Sequence, residues 1–484
     1  DSFYHTRLTI MLRDGGILRT FPWTQASLYQ RIFIDHHFGY HLLLIPFLSI
    51  VPDLVGLKLI TALLAALTIT IIAWCLYRWR VPWWGAGVLL LLTTSPLLFR
   101  LSLGKVPAIG VGVAVLGYYL ITSRKLGWLW WWSWFYTWLY SAWPLLLVLA
   151  LVFIAVESAT QANYHFRPAL RLVLSPRNFK LLGVIILGCL AGLVINPYFP
   201  TNLLYLKQLF AMALTAYHKF LGVGAEWYPY NPWELVSNIA LPLGVFILLT
   251  IAAVFNFKKQ TILTRTAWSL AVIFLVYTLK ARRQVEYLVP WLVMSSGLMW
   301  RDLWPLLRQP NLLAEIKTWL PEVLKSKIFV GFLTAYLVII IPVGLWRGFS
   351  EADSGLRAGF PLTKYQGASS WLKKNTLPRA IIFQSDWSNF PVLWYNNQHN
   401  YYLTGLDQTF MYEYDRSKYW LWVAATRGER RRLYDIAKDT FKASYIMVDK
   451  EHTEMLLWLN RDKRFKKVYS DQEAIIYALD EKSF

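Results

Sequence analysis

The chain has 484 residues, of which 56% are hydrophobic and only 16% charged, and its mean hydropathy is +0.37. A soluble protein carries about 25% charged residues, so a soluble enzyme is excluded, and repeated apolar runs long enough to cross a bilayer mark an integral membrane protein. The net charge of +21 would suggest nucleic acid in a soluble chain. Here basic loops on the cytoplasmic side, against an anionic lipid surface, account for it, so membrane lipid is a partner and nucleic acid is not.

The 26 Trp and 28 Tyr suit interfacial aromatic belts. Both cysteines, Cys75 and Cys189, fall inside apolar runs, which indicates neither a disulfide nor a cysteine metal site. The opening at Asp1, without an initiator Met, leaves room for a further span upstream.

Residues 1–38 are polar and aromatic and read as a first external loop. Asp1 is placed to cap a short amphipathic helix with Leu8, Met11 and Leu12 on one face, ended by Gly15-Gly16. The run from Tyr40 to Ile50 is too short to span, is broken by Pro46, and reads as an interfacial or re-entrant helix. Spans are expected at 56–77, 83–99 and 106–122, then at 180–196, 238–256, 264–280, 286–300 and 328–346. Between them, the run 126–156 breaks at Ser141-Ala142-Trp143-Pro144. Read as a tight hairpin, it keeps the basic loops at Arg78/Arg80, Arg124/Lys125, Arg167/Arg171/Arg177, Lys258/Lys259/Arg265 and Arg301–Lys327 on the cytoplasmic side. That gives a transmembrane domain of about ten spans over 39–347. After Arg347, residues 348–484 hold no spanning run. Helical stretches at 366–374 and 428–441 alternate with β-rich ones at 380–383, 445–448 and 474–477, predicting an external α/β domain.

Two basic clusters fall on the outer side of this topology, against the positive-inside rule. They are Arg100 with Lys105, and Lys280-Ala281-Arg282-Arg283. Arginine offers a planar fork that binds phosphate through two donors, so both clusters are candidates for a lipid-linked phosphate; the alternative is snorkelling to headgroups. Asp1 is a candidate metal ligand or general base, or a plain helix cap. Asp35, His36 and His37 form a dense polar group. Asp35 and His36 are candidate ligands for a divalent metal, Mg or Mn, or contacts for phosphate, although three adjacent side chains do not share one face; a hydrogen-bonded loop anchor is the other reading. His5 shares a helix face with Asp1, and His41 is expected to pack at the interface. Glu226, in the aromatic loop 222–230, is placed to meet acceptor or metal, or is a solvated acid at the interface. Asp386 and Trp387 follow a predicted strand and are candidates on the acceptor or metal side; Asn396, Asn397, His399, Asn400 and Asp407 close behind are candidates for acceptor recognition, which turn chemistry also explains. No P-loop, HExxH or GxSxG occurs.

With these residues in place, the chain resembles the oligosaccharyltransferase catalytic-subunit family and its bacterial relatives, within the GT-C class of membrane glycosyltransferases. Asp1-Ser2-Phe3-Tyr4-His5-Thr6-Arg7 resembles that family's first-loop motif, which implies a catalytic, metal-binding role for Asp1. The stretch from Pro96 to Gly104 resembles the approach to a second acidic motif. Ala281-Arg282-Arg283 resembles the arginine site for the lipid diphosphate, and Glu226 holds about the place of a late-loop glutamate. The chain departs from the family after Gly104, where Lys105-Val106-Pro107 replaces an acidic pair, and at Asp386-Trp387, which is all that remains of a Trp-Trp-Asp motif. The resemblance implies transfer of a sugar or oligosaccharide from a polyprenyl-(di)phosphate donor to an acceptor protein, lipid or glycan. It places the active site on the external face of a cytoplasmic membrane. A transferase acting on lipid or polysaccharide, and a non-catalytic transporter or assembly factor, are the alternatives. A transporter would break its central spans around buried charges, whereas the ionisable residues here gather in loops.

Overall fold

The computed structural model describes residues 1–51, 53–206, 220–307, 327–429 and 432–479. It divides into two compact units. The first joins Asp1–Leu57, Pro197–Gly224 and Phe360–Phe484, and the second joins Lys58–Asn196 and Ala225–Gly359.

The second unit is helical. Three helices in the described chain are long and apolar enough to cross a membrane: Asp53–Arg78, Pro176–Val194 and Ile262–Lys280. The number rises to five if each of two bent pairs forms one span. The run expected at 83–99 is one of these pairs, with Trp84–Leu92 and Ser95–Ser102 meeting at 78°. Pro96 lies in the first turn of the second segment, where its missing N–H costs nothing and its fixed φ favours restarting the helix. The other pair, Pro232–Asn238 and Ala240–Phe255, is bent by 91°, and Asn231 caps it by accepting from Trp233 N and Glu234 N. The run 126–156, expected as a hairpin of two spans, holds two helices, Leu126–Leu139 and Leu145–Gln161. Helices Pro107–Thr122, Val285–Leu307 and Lys327–Arg357 match the remaining expected runs. Most of the basic stretch 301–327 lies outside the described residues.

The first unit is built on a five-stranded sheet in the order β2-β1-β3-β5-β4, where β1 is Ile381–Gln384, β2 Tyr401–Tyr402, β3 Tyr445–Asp449, β4 Phe465–Ser470 and β5 Ala474–Leu479. β1 runs parallel to β2 and β3, and β5 is antiparallel to β3 and β4. The expected helix at 366–374 is Gln366–Asn375, but that at 428–441 is not continuous. Helix Arg416–Thr426 has already ended before Gly428, at φ 72°, and a short helical turn resumes at Leu433. Glycine alone takes that left-handed backbone without strain.

The amino-terminal stretch is part of this α/β unit. Residues 23–26 lie beside β2: Gln25 N and Ala26 N donate to the carbonyls of Tyr402 and Leu403 (2.7 Å each), and Tyr402 N donates to Trp23 O (2.8 Å). Phe21 and Trp394, both fully buried, pack with ring centres 4.9 Å apart and planes tilted by 56°. Helix Ser2–Gly15 ends at Gly16, as expected, but its buried face carries Phe3, Tyr4, His5, Thr6, Leu8 and Thr9. Met11 and Leu12 are only partly buried. Helix Phe38–Ile50 runs through Pro46.

Candidate functional site

The second unit gathers four of the residues singled out in the sequence. Arg100 comes from the last turn of Ser95–Ser102, and Lys105 from the short link to the next helix. Arg283 sits in the 3-10 turn Arg282–Gln284 between two long helices, and Glu226 in the turn Ala225–Trp227. Arg100 donates to Glu226. Lys105 Nζ and Arg283 Nη1 each lie 3.4 Å from the same carboxylate. On its other side Arg100 donates through Nε (2.8 Å) to Glu286, which is fully buried. Arg283 also donates to the Tyr140 hydroxyl (3.0 Å) and stacks over Trp227, 4.5 Å from the ring centre. Three cations against two carboxylates leave one net positive charge in a largely buried site.

Burial opposes ionisation of Glu226, but Arg283, Lys105 and Arg100 outweigh it and hold the carboxyl well below the usual range. Burial lowers the Lys105 ammonium, with Glu226 opposing the shift. Arg282 does a different job from its neighbour. Its N–H donates to Tyr228 O (3.0 Å), its Nε to Pro229 O (3.2 Å), and its guanidinium lies 3.7 Å from Glu234 and over the Tyr230 ring. It ties down the loop that carries Glu226. Glu286 and Tyr140 carry no local sequence signal: one adjoins an apolar run, the other is one of 28 tyrosines.

The remaining candidates belong to the first unit. Asp1 is exposed at the N-cap of Ser2–Gly15, and its side chain does not make the capping hydrogen bond. Asp35 and His36 part company. Asp35 is buried and accepts from His37 N (3.0 Å) and His41 Nδ1 (2.7 Å), and His41 Nε2 meets His5 Nδ1 at 2.8 Å. His41, expected at the interface, is thus the centre of a buried Asp-His-His chain. His36 instead stacks on Tyr205, its ring centre 4.7 Å away, and burial pushes its pKa down to about 4. Among the described residues no three His, Cys, Asp or Glu side chains converge as a metal site would require. Asp1, Asp35 and His36 therefore do not form the expected ligand set.

Asp386 caps the turn Trp387–Asn389 by accepting from Ser388 N (2.8 Å). Both Asp386 and Trp387 line a cleft of about 450 Å³ with Gln408, Trp420, His452 and Glu454. Asp449 beside it accepts from His452 Nδ1 (2.7 Å), Ser385 Oγ and Asn389 Nδ2 (3.1 Å each). Asn397 and Asp407 serve turns, accepting from His399 N and Thr409 N.

No protein-family model and no curated protein matches the sequence. Solved structures do match the fold. The archaeal oligosaccharyltransferase AglB from Archaeoglobus fulgidus, in complex with an inhibitory peptide and a dolichol-phosphate, aligns with a TM-score of 0.61 at 14% identity, over 100% of this chain and 71% of that one. The Archaeoglobus fulgidus oligosaccharyltransferase in complex with Zn and sulfate aligns with a TM-score of 0.58 at 14% identity, over 99% and 69%. ArnT from Cupriavidus metallidurans bound to undecaprenyl phosphate aligns with a TM-score of 0.56 at 14% identity, over 100% and 94%. These neighbours are GT-C glycosyltransferases, and this chain shares their fold.

Proposed function

We propose that the protein is an integral membrane glycosyltransferase of the GT-C type. It moves a sugar or oligosaccharide from a polyprenyl phosphate or diphosphate donor to an acceptor protein, lipid or glycan at the external membrane face. The observation that carries this reading is the cluster of Arg100, Lys105 and Arg283 around one carboxylate. Grouping three cations among apolar helices is costly and is kept where charge must be handled. Guanidinium forks and an ammonium suit phosphate oxygens. Held in a largely buried site, they stabilise the negative charge that grows on the phosphate as its bond to the anomeric carbon breaks. The neighbours solved in complex with dolichol-phosphate and with undecaprenyl phosphate support such a donor.

Asp1 takes the proton of the acceptor nucleophile in this reading, and direct displacement inverts the anomeric centre. The cleft beside Asp386 and Trp387 receives the acceptor. One oligosaccharyltransferase neighbour holds Zn, but Asp35 is committed to His41 here and His36 to Tyr205, so no step is assigned to a divalent metal.

The test is transfer from a polyprenyl-phosphate-linked sugar by the full chain in nanodiscs. Asp1→Ala is expected to lower turnover by about 100-fold or more with unchanged thermal stability. Normal turnover by that variant overturns the role given to Asp1.

A further inference from the structure

The carboxylate of Glu226 sits where three phosphate-directed cations converge. We propose that Glu226 is an internal anion occupying the donor-phosphate site, and that a lipid-linked phosphate enters by exchanging with it; this rests on the phosphate-site reading above.

The two carboxylates of the cluster are not equivalent. Glu286 is fully buried in the first turn of Val285–Leu307 and pairs with Arg100 from a rigid helix. Glu226 keeps 24% of its side-chain surface and rides on a 3-10 turn in a loop. That loop is held to the arginine pair by two hydrogen bonds from Arg282 and by the ring contact of Arg283 with Trp227. Glu286 is thus a fixed countercharge and Glu226 a removable one.

A single carboxylate uses its two oxygens on three cationic partners, a density of donors that a phosphate, with more acceptor oxygens, satisfies better. While Glu226 stays, the cluster holds one net positive charge. Once it leaves, two positive charges face the ligand. A donor phosphodiester carries one negative charge and the departing lipid phosphate nearly two at neutral pH. Displacement of Glu226 therefore matches the cluster to the leaving group rather than to the bound donor, which is the differential that accelerates a reaction. Glu226 also keeps the three cations from repelling one another in the unliganded enzyme.

The experiment measures binding of a short-chain prenyl phosphate to the full chain in nanodiscs by titration calorimetry, with turnover alongside. Glu226→Gln keeps the shape and removes the competing charge. It is expected to tighten binding by roughly tenfold or more, as removal of a like charge at a buried site does, and to lower KM more than it changes kcat. Glu234→Gln makes the same charge change in the same part of the chain, outside the cluster, and is expected to leave affinity within about twofold, as for an exposed pair. Unchanged or weaker binding by Glu226→Gln overturns the exchange, as does equal tightening by Glu234→Gln or a collapse of kcat without a gain in affinity. Arg283→Ala separates the two levels of the argument. If it abolishes binding, the phosphate site stands whatever Glu226 does; if it leaves affinity unchanged, the phosphate site itself fails.

Discussion

Asp449 is held by four donors at once, from Ser385, Asn389, His452 and the main chain of Glu451, and its energetics follow from that. Burial disfavours its charge, but the hydrogen bond from His452, with those from Ser385 and Asn389, holds its carboxyl below the usual range. The same bond raises His452, against burial, with Asp386 and Glu451 adding to the shift. A raised histidine stabilises the fold fully below its unfolded pKa of about 6.5 and loses that contribution as pH rises through its higher folded value. A depressed aspartate stabilises above about 3.9 and loses its contribution as pH falls through its lower folded value. The pair thus acts most strongly between those limits. His452→Gln is expected to flatten the fall in melting temperature between pH 6 and pH 8, and to cost about 1.5–3 kcal/mol near pH 6, as for a hydrogen bond to a charged group. Melts of the full chain followed across pH check this, and a parallel pH profile for the variant counts against it. Single residues were unevenly legible. Arg100, Lys105 and Arg283 stood out because basic residues at apolar boundaries are expensive. Glu286 did not, since its pairing with Arg100 spans 186 positions and leaves no local pattern.

Helices were the most legible elements, because a long apolar run reports that a helix exists, but its ends were less so, since Phe38–Ile50 runs through Pro46. The break in the run 126–156 was legible at Ser141-Ala142-Trp143-Pro144, and two helices lie on either side of it, Leu126–Leu139 and Leu145–Gln161. The bend at Thr93–Thr94 was not legible because hydropathy runs unbroken across it, and Pro96, which opens the second segment, reads equally as a residue near the end of one span. The contact between Leu126–Leu139 and Pro176–Val194 shows what sequence pattern can say about packing. Gly188 and Gly192 lie four apart on one helix, and Ser133 and Thr137 four apart on the other. A Cβ on Gly188 would come within 2.5 Å of Trp130 O and 2.8 Å of Ser133 Cβ, and one on Gly192 within 2.8 Å of Thr137 Cβ. Small residues let the two backbones meet, as in membrane bundles. The obstacle at Gly188 includes a carbonyl that cannot rotate away, so Gly188→Val is expected to cost about 1–3 kcal/mol or more. It should lower the detergent melting temperature well beyond the effect of Gly183→Val, since Gly183 has open space around its Cβ position. Equal effects of the two substitutions would remove the packing argument.

At the scale of the whole molecule, the sequence suggested three successive blocks: a first loop, a membrane domain and an external domain. The chain instead interleaves, with Asp1–Leu57 and Pro197–Gly224 in one compact unit with Phe360–Phe484. Nothing local could report this, because main-chain hydrogen bonds join residues 23–26 to residues 402–403 and main-chain bonds carry no side-chain signature. Aromatic packing completes the joint, with Phe21, Trp23 and Phe390 around Trp394, and Phe3 against Tyr395. Arg7 adds a hydrogen bond to Tyr395 O (2.6 Å). Without the first segment, β2 would keep only β1 as a partner and Trp394 would lose its cover. Exposing one large aromatic costs about 2–3 kcal/mol, and a two-residue edge strand has little else to hold it. Residues 360–479 expressed alone are therefore expected to melt with low cooperativity and to exchange the amides of Tyr401–Leu403 rapidly. Co-expression with residues 1–57 is expected to restore protection at those amides more than elsewhere in the sheet, because among the described residues the main chain of the amino-terminal segment pairs with the sheet at that edge. If the isolated segment melts sharply with those amides already protected, the first segment is an accessory to that domain and the interleaved unit is not its folding unit.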